Sequence, residues 1–170
     1  MRPQAEIEQI EISAITVQKS NPNDKYKIIG RIGAGAFGQV FKCCRKSDGY
    51  VNVLKHTTAN QDERQSVVNE ARLIKALNSE YLVSCEEIFD YDNKIWVYLE
   101  LMDGGDFHEI IEFTKDTYSI DFCKYTLYKV AQALEIMHQN NVYHGNLSTD
   151  NILCDLDTGA IKLVTTATAF

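Results

Sequence analysis

The alternation of hydrophobic and polar positions divides this chain into a strand-rich half followed by a helix-rich half. From Tyr26 onward, short apolar runs separated by polar turns predict a series of strands. Five of them lie before residue 102: Tyr26–Ile32, Phe41–Arg45, Tyr50–Lys55, Leu82–Phe89 and Lys94–Leu101. Two shorter strands, Ile152–Cys154 and Ala160–Val164, are predicted on either side of a polar turn.

Two longer segments show the spacing of amphipathic helices, with an apolar residue every three or four positions. In the first, Gln61–Leu77, the predicted buried stripe is Val67, Ala71, Ile74 and Leu77, and Glu70 lies beside it. In the second, Ile120–Gln139, a continuous apolar face is predicted, formed by Cys123, Leu127, Val130, Ala131, Leu134 and Met137. A short helix is expected to begin after Gly104-Gly105-Asp106.

Residues 1–24 stand apart from this pattern and contain both prolines of the chain. Within them, the segment from Ile10 to Val17 is rich in β-branched residues. One interpretation is a loosely packed N-terminal extension. The other is an additional strand or a segment that docks onto a partner.

Composition narrows the class of protein. With 45% hydrophobic and 24% charged residues, the chain is typical of a folded globular protein. Its net charge of −7 disfavours a nucleic-acid surface or an anionic membrane surface as partner. Five cysteines, an odd number without a metal-ligand spacing, indicate reduced thiols. Since no signal peptide or membrane span is recognisable, a cytoplasmic location is predicted.

A glycine-rich turn lies between the first two predicted strands. The sequence G-A-G-A-F-G-Q-V, from Gly33 to Val40, brings backbone amides together without side chains in the way, as phosphate binding requires. In dinucleotide-binding folds such a turn leads into a helix, whereas here it leads into a strand. Lys55, at the end of the third strand, is a candidate phosphate contact.

The segment from Val142 to Leu153, V-Y-H-G-N-L-S-T-D-N-I-L, resembles the catalytic loop of protein kinases, H-R-D-L-x-x-x-N. His144 and Asn151 match that pattern. Gly145 stands in place of the arginine, and Asn146 stands in place of the catalytic aspartate.

Further motifs extend the resemblance over residues 25–168. The chain resembles eukaryotic Ser/Thr protein kinases, most closely the PAK-like kinases of the Ste group. Besides the glycine-rich turn and the loop, the resemblance is carried by V-V-N-E-A-R-L-I-K-A-L, I-W-V-Y-L-E-L-M-D-G-G-D-F and S-T-D-N-I-L…I-K-L. It implies an α+β, protein kinase-like fold with a five-stranded antiparallel sheet and one helix in the N-lobe. The implied boundaries are an N-terminal extension (1–24), an N-lobe (25–102) and a partial, mainly helical C-lobe (103–170).

The resemblance also implies a nucleotide site between the lobes. Glu70 would pair with Lys55, Leu99 would take the gatekeeper position, and 100–102 would connect the lobes. Val53 replaces the usual alanine beside the adenine, and its extra methyl groups could cost about 1–3 kcal/mol by overpacking. The implied nucleotide-binding residues are Ile32, Gly33, Gly35, Gly38, Val40, Lys55, Glu70, Glu100, Met102 and Leu153.

The departures from the family pattern concern the chemistry. Asn146 cannot accept a proton, and general-base catalysis is typically worth about 10²–10⁴-fold. The D-F-G motif falls on Thr165-Thr166-Ala167, so that Thr165 offers no carboxylate to magnesium. Ser148 replaces the lysine that family members use on the transferred phosphate. Asn151 is therefore a vestigial metal ligand, ATP binding is expected to be weak, and magnesium binding is not expected.

These features predict a catalytically impaired kinase-like domain, or pseudokinase, acting as a scaffold or regulatory subunit of an assembly. The alternatives are a nucleotide-binding regulatory switch and a fragment of an ATP-dependent Ser/Thr kinase. Because the chain ends just after the altered D-F-G position, the apolar face of helix 120–139 is expected to be covered by a protein partner.

Overall fold

An antiparallel five-stranded sheet forms the first part of the protein. The structure, a computed structural model, describes residues 15–35, 38–58, 64–115, 119–165 and 168–169. The sheet strands are β1 (Tyr26–Gly35), β2 (Gly38–Arg45), β3 (Val51–Thr58), β4 (Cys85–Tyr91) and β5 (Lys94–Glu100). Their order across the sheet is β1-β2-β3-β5-β4. The predicted five-stranded antiparallel sheet is confirmed.

Tight turns set the register of this sheet. Between β4 and β5, Asp92 and Asn93 both adopt positive φ angles, of 50° and 56°. Asn and Asp tolerate this left-handed conformation better than most residues, and it suits a two-residue hairpin. The turn aligns Tyr91 with Lys94 and Ile88 with Val97.

Helix α1 (Arg64–Leu77) packs between two apolar clusters rather than on one. Val68 and Ala71 belong to a cluster beneath the sheet, together with Ile88, Ile95 and Val97. Leu73 and Leu77 belong to a second cluster, which includes Ala133 and Met137. The buried arc of α1 is therefore wider than the predicted stripe, of which Val67 and Ile74 are only half-buried.

The opposite face of the sheet carries an aromatic cluster that the sequence pattern did not predict. The rings of Tyr26 and Tyr98 stack with centroids 3.7 Å apart, and Phe89 packs edge-on against both. Burial raises the pKa of Tyr26, helped by the nearby carboxylate of Glu87. Apolar burial on both faces stabilises the sheet.

The described part of the N-terminal segment lies along the outer edge of β4. Gln18 forms a parallel bridge with Phe89, and its backbone exchanges hydrogen bonds with Ile88 and Asp90. The carboxylate of Asp90 binds both Lys19 and Arg64, which is on α1. Residues 15–19 therefore dock onto the sheet of this same chain, through an isolated bridge and ionic contacts. Residues 10–14 lie outside the described residues.

The second part of the protein is built on helices α2 (Phe107–Thr114) and α3 (Ile120–Gln139). Asp106 caps α2 by accepting a hydrogen bond from the Glu109 amide, and Ser119 caps α3 through the Phe122 amide. Short strands follow: β6 (Val142–Tyr143), β7 (Ile152–Cys154), β8 (Ile161–Leu163) and β9 (Thr168–Ala169). Strand β6 pairs with β9, and β7 pairs with β8.

Helix α3 has the predicted bounds, and part of its predicted apolar face is buried. Its buried residues are Thr126, Val130, Ala133 and Met137. Of the predicted apolar face, Val130 and Met137 are buried, whereas Leu127 and Ala131 are exposed. Thr126 can be buried because its hydroxyl donates to the carbonyl of Phe122. Among the described residues, no helix is long and apolar enough to cross a membrane.

Candidate functional site

A cavity of about 430 Å³ lies between the sheet and the helical part; we call it the front cavity. It is bounded above by β1, β2 and β3, and below by residues that follow Ser148. Most of the predicted nucleotide-binding residues meet here: Ile32, Gly33, Gly38, Val40, Lys55, Glu100, Met102 and Leu153, together with Asn151. Of the other two, Gly35 lies in β1 opposite Gly38, and Glu70 lines a second cavity.

The glycine-rich turn joins β1 to β2 above the front cavity. Its Gly33 pairs with Val40, and Gly35 pairs with Gly38. Gly38 has a φ of 110°, and a Cβ atom there would lie 2.1 Å from the carbonyl oxygen of His56. Glycine is therefore required at position 38 by the backbone itself. Ala36 and Phe37, at the tip of the turn, lie outside the described residues.

A smaller cavity of about 170 Å³, the back cavity, adjoins the front cavity behind Leu99. Both cavities are lined by Lys55, Val83, Leu99 and Val164, and the back cavity also by Glu70 and Thr165. Burial lowers the pKa of Lys55, and the attraction of Glu70 opposes that shift. Burial raises the pKa of Glu70, and Lys55 opposes it in turn. The two charges therefore stabilise each other in a poorly hydrated site.

Apolar side chains form the inner wall of the front cavity. Val53 on β3 pairs with Leu99 on β5, and both side chains line the cavity. Leu99 is almost fully buried, since it also bounds the back cavity. The resemblance predicts that Val53 lies beside a bound adenine, and its place in the wall of the front cavity agrees with that prediction.

The connector that follows β5 is fixed by ionic and backbone contacts. The Glu100 carboxylate accepts hydrogen bonds from the Ser84 amide at 2.6 Å and from Lys162 Nζ at 2.7 and 2.8 Å. Lys162 is on β8, so this ion pair joins the sheet to the helical part. Further along, the Gly104 amide donates to the carbonyl of Cys154, at a separation that leaves no room for a Cβ atom.

The loop after β6 is organised around a buried histidine. His144 is 4% exposed, and its Nε2 lies 2.6 Å from the carbonyl oxygen of Val164. Its Nδ1 accepts a hydrogen bond from the Asn146 amide, so Nε2 is the donor to Val164. Gly145 has a φ of 73°, a conformation that favours glycine.

Asn151 holds the same loop from its other end. Its side-chain amide donates to the carbonyl of Asn146 at 2.8 Å and to the hydroxyl of Ser148 at 3.2 Å. The Asn146 side chain itself is exposed. Asn151 therefore has a structural function in this loop, in addition to lining the front cavity.

Thr165 occupies the position of the D-F-G aspartate and is 2% exposed. Its hydroxyl is buried without a hydrogen-bond partner among the described residues, at the wall of the back cavity. An unpaired buried hydroxyl typically costs about 1–3 kcal/mol. The next two residues, Thr166 and Ala167, lie outside the described residues.

Several cavity residues were not singled out from the sequence. Val83 and Val164 line both cavities, and Asp106 and Glu109 bring carboxylates to the front cavity. Asp106 could have been recognised, because it directly follows the glycine pair that ends the connector. Glu109 lies one helical turn further along the same face of α2, which is also a readable spacing.

Comparisons with known proteins agree with this architecture. The profile of the family named "Protein kinase domain" matches residues 26–165. The chain is 33% identical over 148 residues to serine/threonine-protein kinase 10 of Danio rerio, covering 84% of this chain and 15% of that protein. It is 32% identical over 143 residues to cyclin-dependent kinase-like 4 of Mus musculus, covering 82% and 41%. The chain thus spans less than half the length of these relatives.

A solved structure gives the same result for the fold. The twitchin kinase fragment of C. elegans, an autoregulated protein kinase with immunoglobulin domains, superposes with a TM-score of 0.80 at 25% sequence identity. The match covers 91% of this chain and 35% of that one. The protein kinase fold predicted from the sequence is confirmed, and the chain belongs to the protein kinase domain family.

Proposed function

We propose that this chain is a pseudokinase of the Ste-group, PAK-like type, which does not transfer phosphate and acts as a scaffold or regulatory subunit of an assembly. The observation that carries this proposal is that Asn146 and Thr165 both stand where kinase chemistry needs a carboxylate. Both side chains are neutral at every physiological pH.

The base position supports the proposal through its geometry. The backbone of Asn146 is held by His144 on one side and by Asn151 on the other. The loop is therefore well formed, but the side chain it presents cannot take the proton of a substrate hydroxyl.

The metal position supports it independently. A hard cation such as magnesium prefers charged oxygen ligands, and the Thr165 hydroxyl is a single neutral oxygen. The side-chain nitrogen of Asn151 is already engaged in the loop, which leaves its oxygen as the amide ligand. This donor set is a poor fit for magnesium.

Asp150 is the nearest candidate for a substitute base. It lines the front cavity and is exposed, and its carboxylate accepts a hydrogen bond from Ser148 at 3.3 Å. Because active members of the kinase family often carry an aspartate here in addition to their catalytic aspartate, Asp150 is not a displaced base. We therefore assign it no catalytic function.

The scaffold part of the proposal rests on the exposed side of α3. Ile120 and Leu127 are each 68% exposed, and Tyr128 is 55% exposed. Large apolar side chains grouped on one helix are typical of a surface that a protein partner covers. A partner on this side, and a cytoplasmic location, are the corresponding expectations.

A regulatory nucleotide switch is the second candidate function. The observation that favours it is the front cavity, which is lined by most of the predicted nucleotide-binding residues. In that case ATP would bind weakly, without magnesium, and would alter the shape of the domain instead of being consumed.

Transfer of radiolabelled phosphate from ATP to a generic protein substrate tests the catalytic part of the proposal. We expect no transfer above the level of a Lys55→Met variant, and no difference for Asp150→Asn. Transfer that disappears in Lys55→Met would show an active kinase. Transfer that is retained in Lys55→Met but lost in Asp150→Asn would show that Asp150 serves as a substitute base.

The scaffold part is tested by the native mass of the protein isolated from its own cells. We expect a heteromeric complex that is lost in a Leu127→Glu variant and retained in a Glu135→Gln control. A stable monomer of the wild-type protein would contradict the scaffold function.

A further inference from the structure

The front cavity carries an unusual balance of charge for a site that would receive phosphates. Four carboxylates line it, those of Glu100, Asp106, Glu109 and Asp150. Lys55 is the one cationic side chain among the described residues that line it. Lys162 balances the charge of Glu100 from outside the cavity.

The carboxylates of Asp106 and Asp150 accept hydrogen bonds from neutral groups. Asp106 accepts from a backbone amide of α2, and Asp150 accepts from the Ser148 hydroxyl. These donors orient the carboxylates but do not cancel their charge. A ligand with several negative charges therefore meets net repulsion along the helical side of the cavity.

In kinases, magnesium normally reduces this repulsion by neutralising the phosphates. In this chain, the position of the carboxylate that would bind magnesium holds a neutral residue. Thr165 stands at that position, and its buried hydroxyl lacks a partner among the described residues. A neutral polar ligand group or a water can satisfy this hydroxyl, whereas a metal ion gains little from it. Neutral ligands are thus favoured both by the carboxylates of the front cavity and by the Thr165 hydroxyl at the back cavity.

The remaining walls suit a flat apolar ring. Val53, Leu99, Met102 and Leu153 line the inner part of the cavity. Burial of a ring against such side chains supplies binding energy that does not depend on phosphate.

We propose that the front cavity binds an uncharged adenine-type nucleoside, such as adenosine, in preference to a nucleoside triphosphate. This rests on the proposed function, because an active kinase would select the magnesium-bound triphosphate. It specifies the ligand class of the same site.

Calorimetric titration of the whole chain with adenosine, ADP and ATP tests the preference, each in EDTA and again in magnesium chloride. We expect affinity to fall in the order adenosine, ADP, ATP in EDTA, and magnesium to leave the order unchanged. Tighter binding of ATP than of adenosine in either buffer overturns the inference, and so does the absence of adenosine binding.

Charge variants identify the cause. In Glu109→Gln combined with Asp150→Asn, ATP affinity in EDTA should rise by about 2- to 25-fold, since each exposed charge is worth roughly 1.5- to 5-fold. Adenosine affinity should change less than ATP affinity, because adenosine carries no charge. Glu135→Gln, on the outer side of α3, removes the same charge away from the cavity and should change neither affinity. An equal rise in both affinities for the double variant would contradict the electrostatic explanation.

The outcomes separate the two proposals. Phosphate transfer by the wild-type chain would refute the pseudokinase function itself. Tight ATP binding without transfer would refute only the nucleoside preference and leave the pseudokinase function in place.

Discussion

The two walls of the front cavity differ in what their residues do. The upper wall, formed by β1, β2, β3 and β5, carries the glycine turn and Lys55 in the arrangement typical of the family. The lower wall, by which we mean segments 142–153 and 164–165, contributes Asp150, Asn151, Leu153 and Val164 to the cavity lining. It carries the neutral side chains of Asn146 and Thr165. Yet His144 and Asn151 hold the lower wall through hydrogen bonds to its backbone, much as strand pairing holds the upper one.

This difference shows that the shape of a catalytic loop and its chemistry depend on separate residues. The side chains of His144 and Asn151 bind backbone groups, so they determine the path of the chain. Asn146 is exposed and Thr165 has no partner for its hydroxyl among the described residues, so neither side chain is needed for that path. The loop can therefore keep its path whatever side chains stand at positions 146 and 165.

The largest expected effect concerns the upper wall. Gly38→Ala should lower the free energy of unfolding by about 2–5 kcal/mol, through left-handed backbone strain and overpacking against His56. Urea unfolding followed by the fluorescence of Trp96, the single tryptophan, measures this. Gly30→Ala is the matched control, because a Cβ atom there meets nothing within 4 Å. Equal effects of both substitutions would contradict the tight contact.

The lower wall should respond to loss of its buried histidine. His144→Ala removes the hydrogen bond to Val164 and opens a cavity, and should lower the free energy of unfolding by about 2–3 kcal/mol. His108→Ala, whose side chain is 54% exposed, should change it by less than about 0.5 kcal/mol. If the two histidine variants were equally stable in urea, His144 would not be holding the loop.

The buried pair behind Leu99 predicts a dependence of stability on pH. The pKa of Glu70 is raised above its ordinary value of 4.5, so the folded state binds a proton more tightly than the unfolded state. The stability that this proton contributes is fully present below 4.5 and is lost as the pH rises through the raised pKa. The unfolding free energy of the wild type, relative to Glu70→Gln, should therefore fall over this range. A flat difference would show that Glu70 is not buried in solution.

The smallest effect is expected at the altered base position. Asn146→Asp should change the free energy of unfolding by less than about 0.5 kcal/mol, because the side chain is exposed. It should not produce phosphate transfer, because Thr165 still lacks the metal carboxylate. Activity from this single substitution would show that the lower wall lacks only a base.

Features that depend on local periodicity were predictable from the sequence. The bounds of α3 and the presence of five sheet strands follow from residue spacing, although the strand bounds differ by up to three residues. Glu70 lines a cavity together with Lys55 because its helix has that period. The arc buried by α1 was not predictable in the same way, since two clusters contact the helix from different sides. The burial of Thr126 also escaped the pattern, because a hydroxyl that bonds its own helix behaves as a small apolar group.

Contacts between distant segments were beyond such patterns. The Asp90 carboxylate joins Lys19 to Arg64, residues that are far apart in the chain and show no mutual signal. The carboxylates of Glu109 and Asp150 reach one cavity only after α2 has packed beside the loop. Such groups become recognisable once the fold has placed them.

The ion pair between Glu100 and Lys162 has a consequence for how ligands enter. It spans the junction between the sheet and the helical part, and both side chains are less than one-fifth exposed. Moving the two parts away from each other would break this pair and draw both charged side chains into water. Exchange of a small ligand should therefore proceed through the open front of the cleft, at a rate set by the ligand's own dissociation and not by separation of the two parts.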